Sequence, residues 1–322
     1  MAANYWASSQ RLHWTFTKPG LAETRRQMEE NEKALHKQYP LPEQRLISIF
    51  LMHQVNKLAK RMNYKQQIIA TAQVYIRRFY TKVEIRRTNP FLVVTTAFYL
   101  ACKTEESPQH IRVILAEGRN NWGAEIIPDQ SKMGECEFTL ISELNSQLIV
   151  HHPYRTLYEL QQTFSLPNDE FSTAWHIIND HYLTDLPLLY PPHVIAVTAV
   201  FLAVVIRPAQ NALLPHQHQH HAGNLAGALQ SLTSPQSAAA IATQAGVHGP
   251  TAGAGASGSA GAAAQGRIVK VVNWLAESRI DMEAVVDATQ ELISLYEVWD
   301  QFNEKACKDA VLRFVQARGL DK

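Results

Sequence analysis

Displaced by 102 residues, the chain matches itself. Residues 71–101, TAQVYIRRFYTKVEIRRTNPFLVVTTAFYLA, align without a gap on residues 173–203, TAWHIINDHYLTDLPLLYPPHVIAVTAVFLA. The identical pairs are Thr71/Thr173, Ala72/Ala174, Ile76/Ile178, Tyr80/Tyr182, Pro90/Pro192, Thr96/Thr198, Ala97/Ala199, Leu100/Leu202 and Ala101/Ala203. Unrelated stretches of ordinary composition share roughly two such positions. Both copies follow one plan: an amphipathic helix, a short linker closed by proline, then a helix apolar on every side.

Hydrophobic periodicity extends this plan in both directions. The first copy, residues 41–150, has helical patterns over about 42–62, with Leu46, Ile49, Phe50 and Val55 on one face, and over about 65–80, with Ile68, Ala72, Tyr75 and Phe79. A third pattern, 90–105, opens with proline in its first turn and carries apolar residues all round, as a central bundle helix requires. Two further helices are predicted over about 108–117 and 130–148. The second copy, 151–302, repeats the order with patterns at 154–163, 169–183, 192–206, 268–277 and 282–302. Strand signals are nearly absent, so the expected fold class is all-α: tandem five-helix repeats with a helical N-terminal extension over 1–40.

That extension reads as an aromatic helix over 4–17, broken at Pro19-Gly20, then a mostly polar helix over 21–38 with too little apolar content for a core element. Residues 303–322 form a tail with a last short helix at about 306–316. Residues 208–266 contain no Asp, Glu, Lys or Arg and hold nine of the fourteen glycines. This stretch reads as a disordered insertion, transiently helical over 222–245, because it cannot bury enough apolar surface to offset its ordering entropy.

The totals exclude several functions. A net charge of +1 gives no case for a strongly basic nucleic-acid binder. Cys102, Cys136 and Cys307 lie far apart with no CxxC pair, which argues against a disulfide framework and a zinc ribbon. The first twenty residues lack a continuous apolar core, and the longest uncharged apolar run, 194–206, is about half a bilayer crossing. A reducing compartment, cytosol or nucleus, is the expected location. His151-His152 and the scattered carboxylates show no catalytic spacing, and no cofactor motif is present. His216, His218, His220 and His221 offer at most a weak, adventitious metal site, with no carboxylates to support them.

Three blocks, YIRRF (75–79), LACKTEE (100–106) and ECEFTLISEL (135–144), give the chain a resemblance to the cyclin family. NYWASSQRLHW (4–14), KQQIIATAQVYIRRFY (65–80), LIVHHPYRTL (148–157), LLYPPHVIA (188–196) and ESRIDMEAVVDATQELISLYEVWDQF (277–302) are similar to the cyclin C type within it. The resemblance implies a non-catalytic regulatory subunit that binds and activates the cyclin-dependent kinase of the Mediator kinase module. It also implies other subunits of that module as partners, RNA polymerase II transcription as the process and the nucleus as the location. It implies no cofactor, no direct nucleic-acid contact and no membrane contact. Alternatives are the cyclin of another transcription kinase and a TFIIB-like DNA-binding adaptor, although the latter would carry a zinc ribbon and basic repeats.

On physics alone, Lys103 near the end of a helix is an ordinary complement to the macrodipole. The resemblance gives it a role: with a glutamate on helix five, here Glu137 rather than Glu135, it bonds main-chain groups flanking the kinase's regulatory helix. Apolar area around Leu100, Phe138 and Ile141 would supply binding energy. Trp6, Tyr5 and their aromatic neighbours either staple the N-terminal helix to the first repeat or form partner surface, and the resemblance favours the interface.

The family pattern also fails in places. The substrate-recruiting Met-Arg-Ala-Ile-Leu patch of many cell-cycle cyclins aligns with Ile47-Ser48-Ile49-Phe50-Leu51, which lacks the arginine. The aspartate usual after Tyr-Ile on helix two is Arg77. Arg112, Leu115 and Asn120 match a destruction-box spacing, but they fall within a predicted helix of the fold.

Overall fold

The computed structural model describes residues 4–123, 129–206 and 257–321. In chain order the α-helices are α1 (Ser9–His13), α2 (Lys18–Asn31), α3 (Lys33–Gln38), α4 (Gln44–Met62), α5 (Gln66–Phe79), α6 (Pro90–Thr104), α7 (Ile111–Trp122) and α8 (Gln130–Glu143). They continue with α9 (Tyr154–Phe164), α10 (Asn168–His181), α11 (Leu186–Leu189), α12 (Pro192–Val205), α13 (Ser257–Glu277), α14 (Met282–Trp299) and α15 (Glu304–Ala317). No strand occurs among the described residues. None of their helices is long and apolar enough to cross a membrane.

The contacts divide the chain into two compact units. The first comprises 1–152, 181–192 and 302–322; the second comprises 153–180 and 193–301. Segments 181–192 and 302–322, assigned by sequence to the second repeat and the tail, therefore group with the first unit. Long-range packing decides this, and periodicity carries no record of it.

In the first unit α6 is the central helix, packed against α4, α5, α7 and α8. Its start is fixed locally. Asn89 Oδ1 accepts the N–H groups of Phe91 and Leu92 at 3.1 and 3.3 Å, and Pro90 needs no donor in the first turn. Phe91, Val93, Val94, Ala97, Phe98, Leu100 and Ala101 are all buried, as an all-round apolar pattern demands. α7 approaches α6 closely at Gly118: a Cβ there would sit 3.1 Å from Thr95 Oγ1, so a larger residue would need Thr95 to give way by a few tenths of an ångström. α15 packs on α4 and buries Cys307, Val311, Phe314 and Val315.

The N-terminal extension differs from its sequence reading. A 3-10 turn at Tyr5–Ala7 and the short α1 replace one aromatic helix. Pro19-Gly20 lies inside the first turn of α2, where the Thr17 hydroxyl accepts the Gly20 N–H; proline there initiates the helix rather than breaking it. The expected helix over 21–38 is split at Glu32. Its single buried residue, Leu21, joins Leu188 and Leu189 of α11, and the Phe16 N–H donates to Leu188 O at 2.7 Å. One leucine in a mostly polar helix thus does reach a core.

In the second unit α12 is the apolar helix, with Val194, Ile195, Ala199, Val200, Leu202 and Ala203 buried. Glu170 on α10 accepts from Arg267 Nε on α13 at 2.9 Å, and Phe164 meets Trp274 edge-on at 5.4 Å. α13 begins at Ser257, so the last ten residues of the charge-free stretch are helical, contrary to the disorder expected through 266. Alanine there extends a helix that the apolar residues from Ile268 onward anchor. Residues 207–256, including the histidine cluster, lie outside the described residues. Among the described residues no group of His, Cys, Asp or Glu is arranged to hold a metal ion.

Candidate partner-docking site

The last turn of α6 and the middle of α8 bring Lys103 and Glu137 together as an ion pair. The Lys103 side chain is 39% exposed and that of Glu137 16%, so the pair lies at the surface with the carboxylate tucked in. The Lys103 ammonium also sits 4.5 Å from the centre of the Tyr99 ring, one turn back on α6, where the π face attracts a cation. Tyr99 was not singled out by sequence, although a Tyr–Lys spacing of four on a helix is a readable signal. Glu135 is exposed and pairs at 3.3 Å with Lys132 on its own helix.

Beside this pair Phe138 is 80% exposed. Its helix α8 buries only Met133 and Leu140, so the ring stands on the solvent side of the element and offers open apolar area there. Ile141 is half-buried. Leu100 does not belong to this set. It is 2% exposed, packed inside the bundle of which α6 is the central helix, so it supports the site from beneath instead of contributing open area. Neighbouring Cys136 is half-buried, and burial pushes its thiol up to about 11, which makes it an unreactive packing group.

The N-terminal aromatics divide their roles. Trp14 is buried, donates from Nε1 to Gln147 Oε1 at 2.7 Å, and lies against the Arg78 guanidinium at 5.2 Å and the Lys82 ammonium at 5.1 Å. Gln10 adds a two-way clasp, its Oε1 accepting the His151 N–H at 2.7 Å and its Nε2 donating to His151 O at 3.3 Å. These residues staple α1 to the segment after α8. Trp6 remains 56% exposed, in edge contact with a half-buried Tyr5 at 5.4 Å and with the Arg11 guanidinium 5.4 Å from its ring. Of the two tryptophans, only Trp6 presents surface.

Arg77 replaces the family's usual acid and finds one elsewhere. Its Nε donates to Tyr182 O at 2.8 Å and its Nη1 to Asp185 Oδ1 at 2.9 Å. A second, partly buried chain runs from Glu105 through the Thr71 hydroxyl, which donates to it at 2.6 Å, to His152 Nε2 at 2.8 Å and on to the Tyr182 hydroxyl at 2.7 Å. Burial, then the nearby His181, pushes His152 down to about 3, so it is a neutral structural link. Arg112, Leu115 and Asn120 lie on α7 with Leu115 buried, which hides the destruction-box spacing.

The cyclin N-terminal domain matches residues 20–149. A protein of Aspergillus oryzae named RNA polymerase II holoenzyme cyclin-like subunit is 56% identical over 322 residues, covering 100% of both chains. The chain belongs to the cyclin family. A like-named Aspergillus fumigatus protein is 55% identical to this cyclin, again over 100% of both chains. Among solved structures, one chain of the CAK complex from Chaetomium thermophilum bound to ATP-gamma-S has a TM-score of 0.58 at 18% identity, covering 99% of this chain and 88% of that one. This last likeness shows that the cyclin fold is shared.

Proposed function

We propose that this cyclin is a non-catalytic regulatory subunit that binds and activates the cyclin-dependent kinase of the Mediator kinase module. It would act in the nucleus on RNA polymerase II transcription, with phosphorylation of the polymerase C-terminal domain and of transcription factors carried out by the kinase. The relatives' name, RNA polymerase II holoenzyme cyclin-like subunit, supports the setting.

The observation that carries the docking role is the surface pair Lys103–Glu137 beside the exposed Phe138. A lysine only donates and a carboxylate only accepts, so the two satisfy opposite polarities of exposed main chain, as the two ends of a partner's helix offer. Phe138, half-buried Ile141 and Trp6 supply apolar area. A protein kinase is active when its regulatory-helix glutamate pairs with the ATP-binding lysine, and a subunit that holds that helix inward supplies activation without doing chemistry. Affinity purification of the tagged chain followed by mass spectrometry tests the proposal. A Mediator-module kinase in stoichiometric amount is the expected result; recovery of a different transcription kinase, or of none, overturns it.

A further inference from the structure

Arg78, in the last turn of α5, carries its charge inside the first unit and is only 1% exposed. Of its three nitrogens, Nη1 donates to Gln147 O at 3.1 Å. Nε and Nη2 are buried, and neither meets an acceptor among the described residues. These two atoms form the side edge of the guanidinium, where two N–H bonds point the same way and grip an anion together. Buried donors of a charged group that stay unmet are strongly unfavourable, so the pair calls for a ligand.

The charge is met no better than the hydrogen bonds. Burial pushes Arg78 down to about 10, which leaves it a cation at neutral pH. The end of α5 favours a cation, and Arg78 Cζ lies 5.2 Å from the centre of the Trp14 ring. Neither brings a net negative charge, and a π face is a weak acceptor for N–H groups. Tyr75 and Tyr5, whose fields act on Arg78, are pushed up by burial and are neutral at pH 7. Glu105, which like Arg78 acts on Tyr75, accepts instead from Gln67 Nε2 and the Thr71 hydroxyl, both at 2.6 Å. The Lys82 ammonium, 5.1 Å from the same Trp14 ring, donates to Glu143 O and Asn145 Oδ1, so it adds a second cation and no carboxylate.

A third buried polar atom without a partner is Nε2 of His151. Its ring meets Tyr5 edge-on at 5.6 Å. Burial, then the field of Arg78, pushes this imidazole down, so it is neutral and adds no charge of its own.

We propose that the side edge of Arg78 holds a small inorganic monovalent anion of about the size of chloride, bound by Nε–H and Nη2–H. Full burial excludes a ligand with an organic body, and one unmatched cation requires one negative charge. The site is independent of the kinase-docking reading. The test is thermal unfolding of the full chain as chloride replaces gluconate, an anion too large for a buried site, at constant ionic strength. From about 10 to about 300 mM chloride the unaltered chain should gain about 2–4 °C in Tm, because a ligand bound only by the folded state stabilises it by mass action. Arg78→Met, which keeps an unbranched side chain without the charge, should have a Tm independent of chloride. No gain in the unaltered chain overturns the site, and so does an equal gain in the variant, which would mark a general salt effect. The NMR signal of the Arg78 Nε–H in the unaltered chain decides the question even if the variant unfolds. A shift that saturates with chloride is expected; no shift, or one that stays linear, leaves only water at this edge and overturns the proposal.

Discussion

The most direct perturbation of the docking face is the exchange Lys103→Glu with Glu137→Lys. The two side chains are bonded to each other, so the exchange keeps an ion pair in place while reversing the polarity offered to a partner. Its cost to the fold is small. A partly exposed pair is worth about 0–1 kcal/mol in either orientation, and a glutamate in the last turn of α6 costs roughly 0.3–1 kcal/mol against the helix dipole. The Lys103–Tyr99 contact is also lost, at about 0.5–1 kcal/mol. Binding suffers more. Each hydrogen bond between a charged group and a partner's main chain contributes about 1.5–3 kcal/mol, and two such bonds in one network are not fully additive. A loss of about 3 kcal/mol is therefore expected, on the order of a 150-fold rise in Kd. Calorimetric titration against the co-purified kinase reads this directly, with thermal unfolding as the control for the fold. Kd within threefold of the unaltered chain, at nearly unchanged Tm, would refute the docking role of the pair.

Three further outcomes follow from particular contacts. Trp14→Ala removes a buried ring, its bond to Gln147 and its contacts with Arg78 and Lys82, and should cost about 3–5 kcal/mol in urea unfolding, whereas Trp6→Ala should stay within about 0.5 kcal/mol and weaken kinase binding instead; equal stability losses would contradict the division of roles. Asp180, whose Oδ2 accepts from the Tyr296 hydroxyl at 2.9 Å, is pushed by burial to about 7 in spite of that bond. Its folded value lies above the unfolded one, so its contribution is complete below about pH 4 and is lost as pH rises through 7, at up to about 1.4 kcal/mol per pH unit; Asp180→Asn should lack this slope, and parallel pH–stability curves would count against it. Phe314→Ala on α15 empties a position 1% exposed against the first unit and should cost about 3–5 kcal/mol, a value under 1 kcal/mol meaning that the C-terminal helix is not part of that core.

The helices around the site were legible because their cause is local. The stripe Ile68, Ala72, Tyr75, Phe79 placed α5 to within a residue or two, and proline with an all-apolar run placed α6, its central position and Lys103 in its last turn. Side-chain exposure was not legible in the same way. An apolar residue on a helix reads alike whether it faces a neighbour or water, so Leu100 and Phe138 looked equivalent, and only the packing of α6 and α8 separates them at 2% and 80% exposure. The mutual bond of Lys103 and Glu137 was likewise open, since two residues 34 apart in sequence carry no mark of their separation in space.

By itself the sequence determined the repeat, the all-helical class and the order of the helices, since a duplicated 3.6-residue periodicity constrains each segment through its nearest neighbours in the chain. Tertiary structure alone decided that residues 181–192 and 302–322 join the first unit, that Trp14 is buried while Trp6 is open, and that Arg77 finds its carboxylate at Asp185. Each of those outcomes depends on contacts between residues far apart along the chain, whose energies no local pattern encodes.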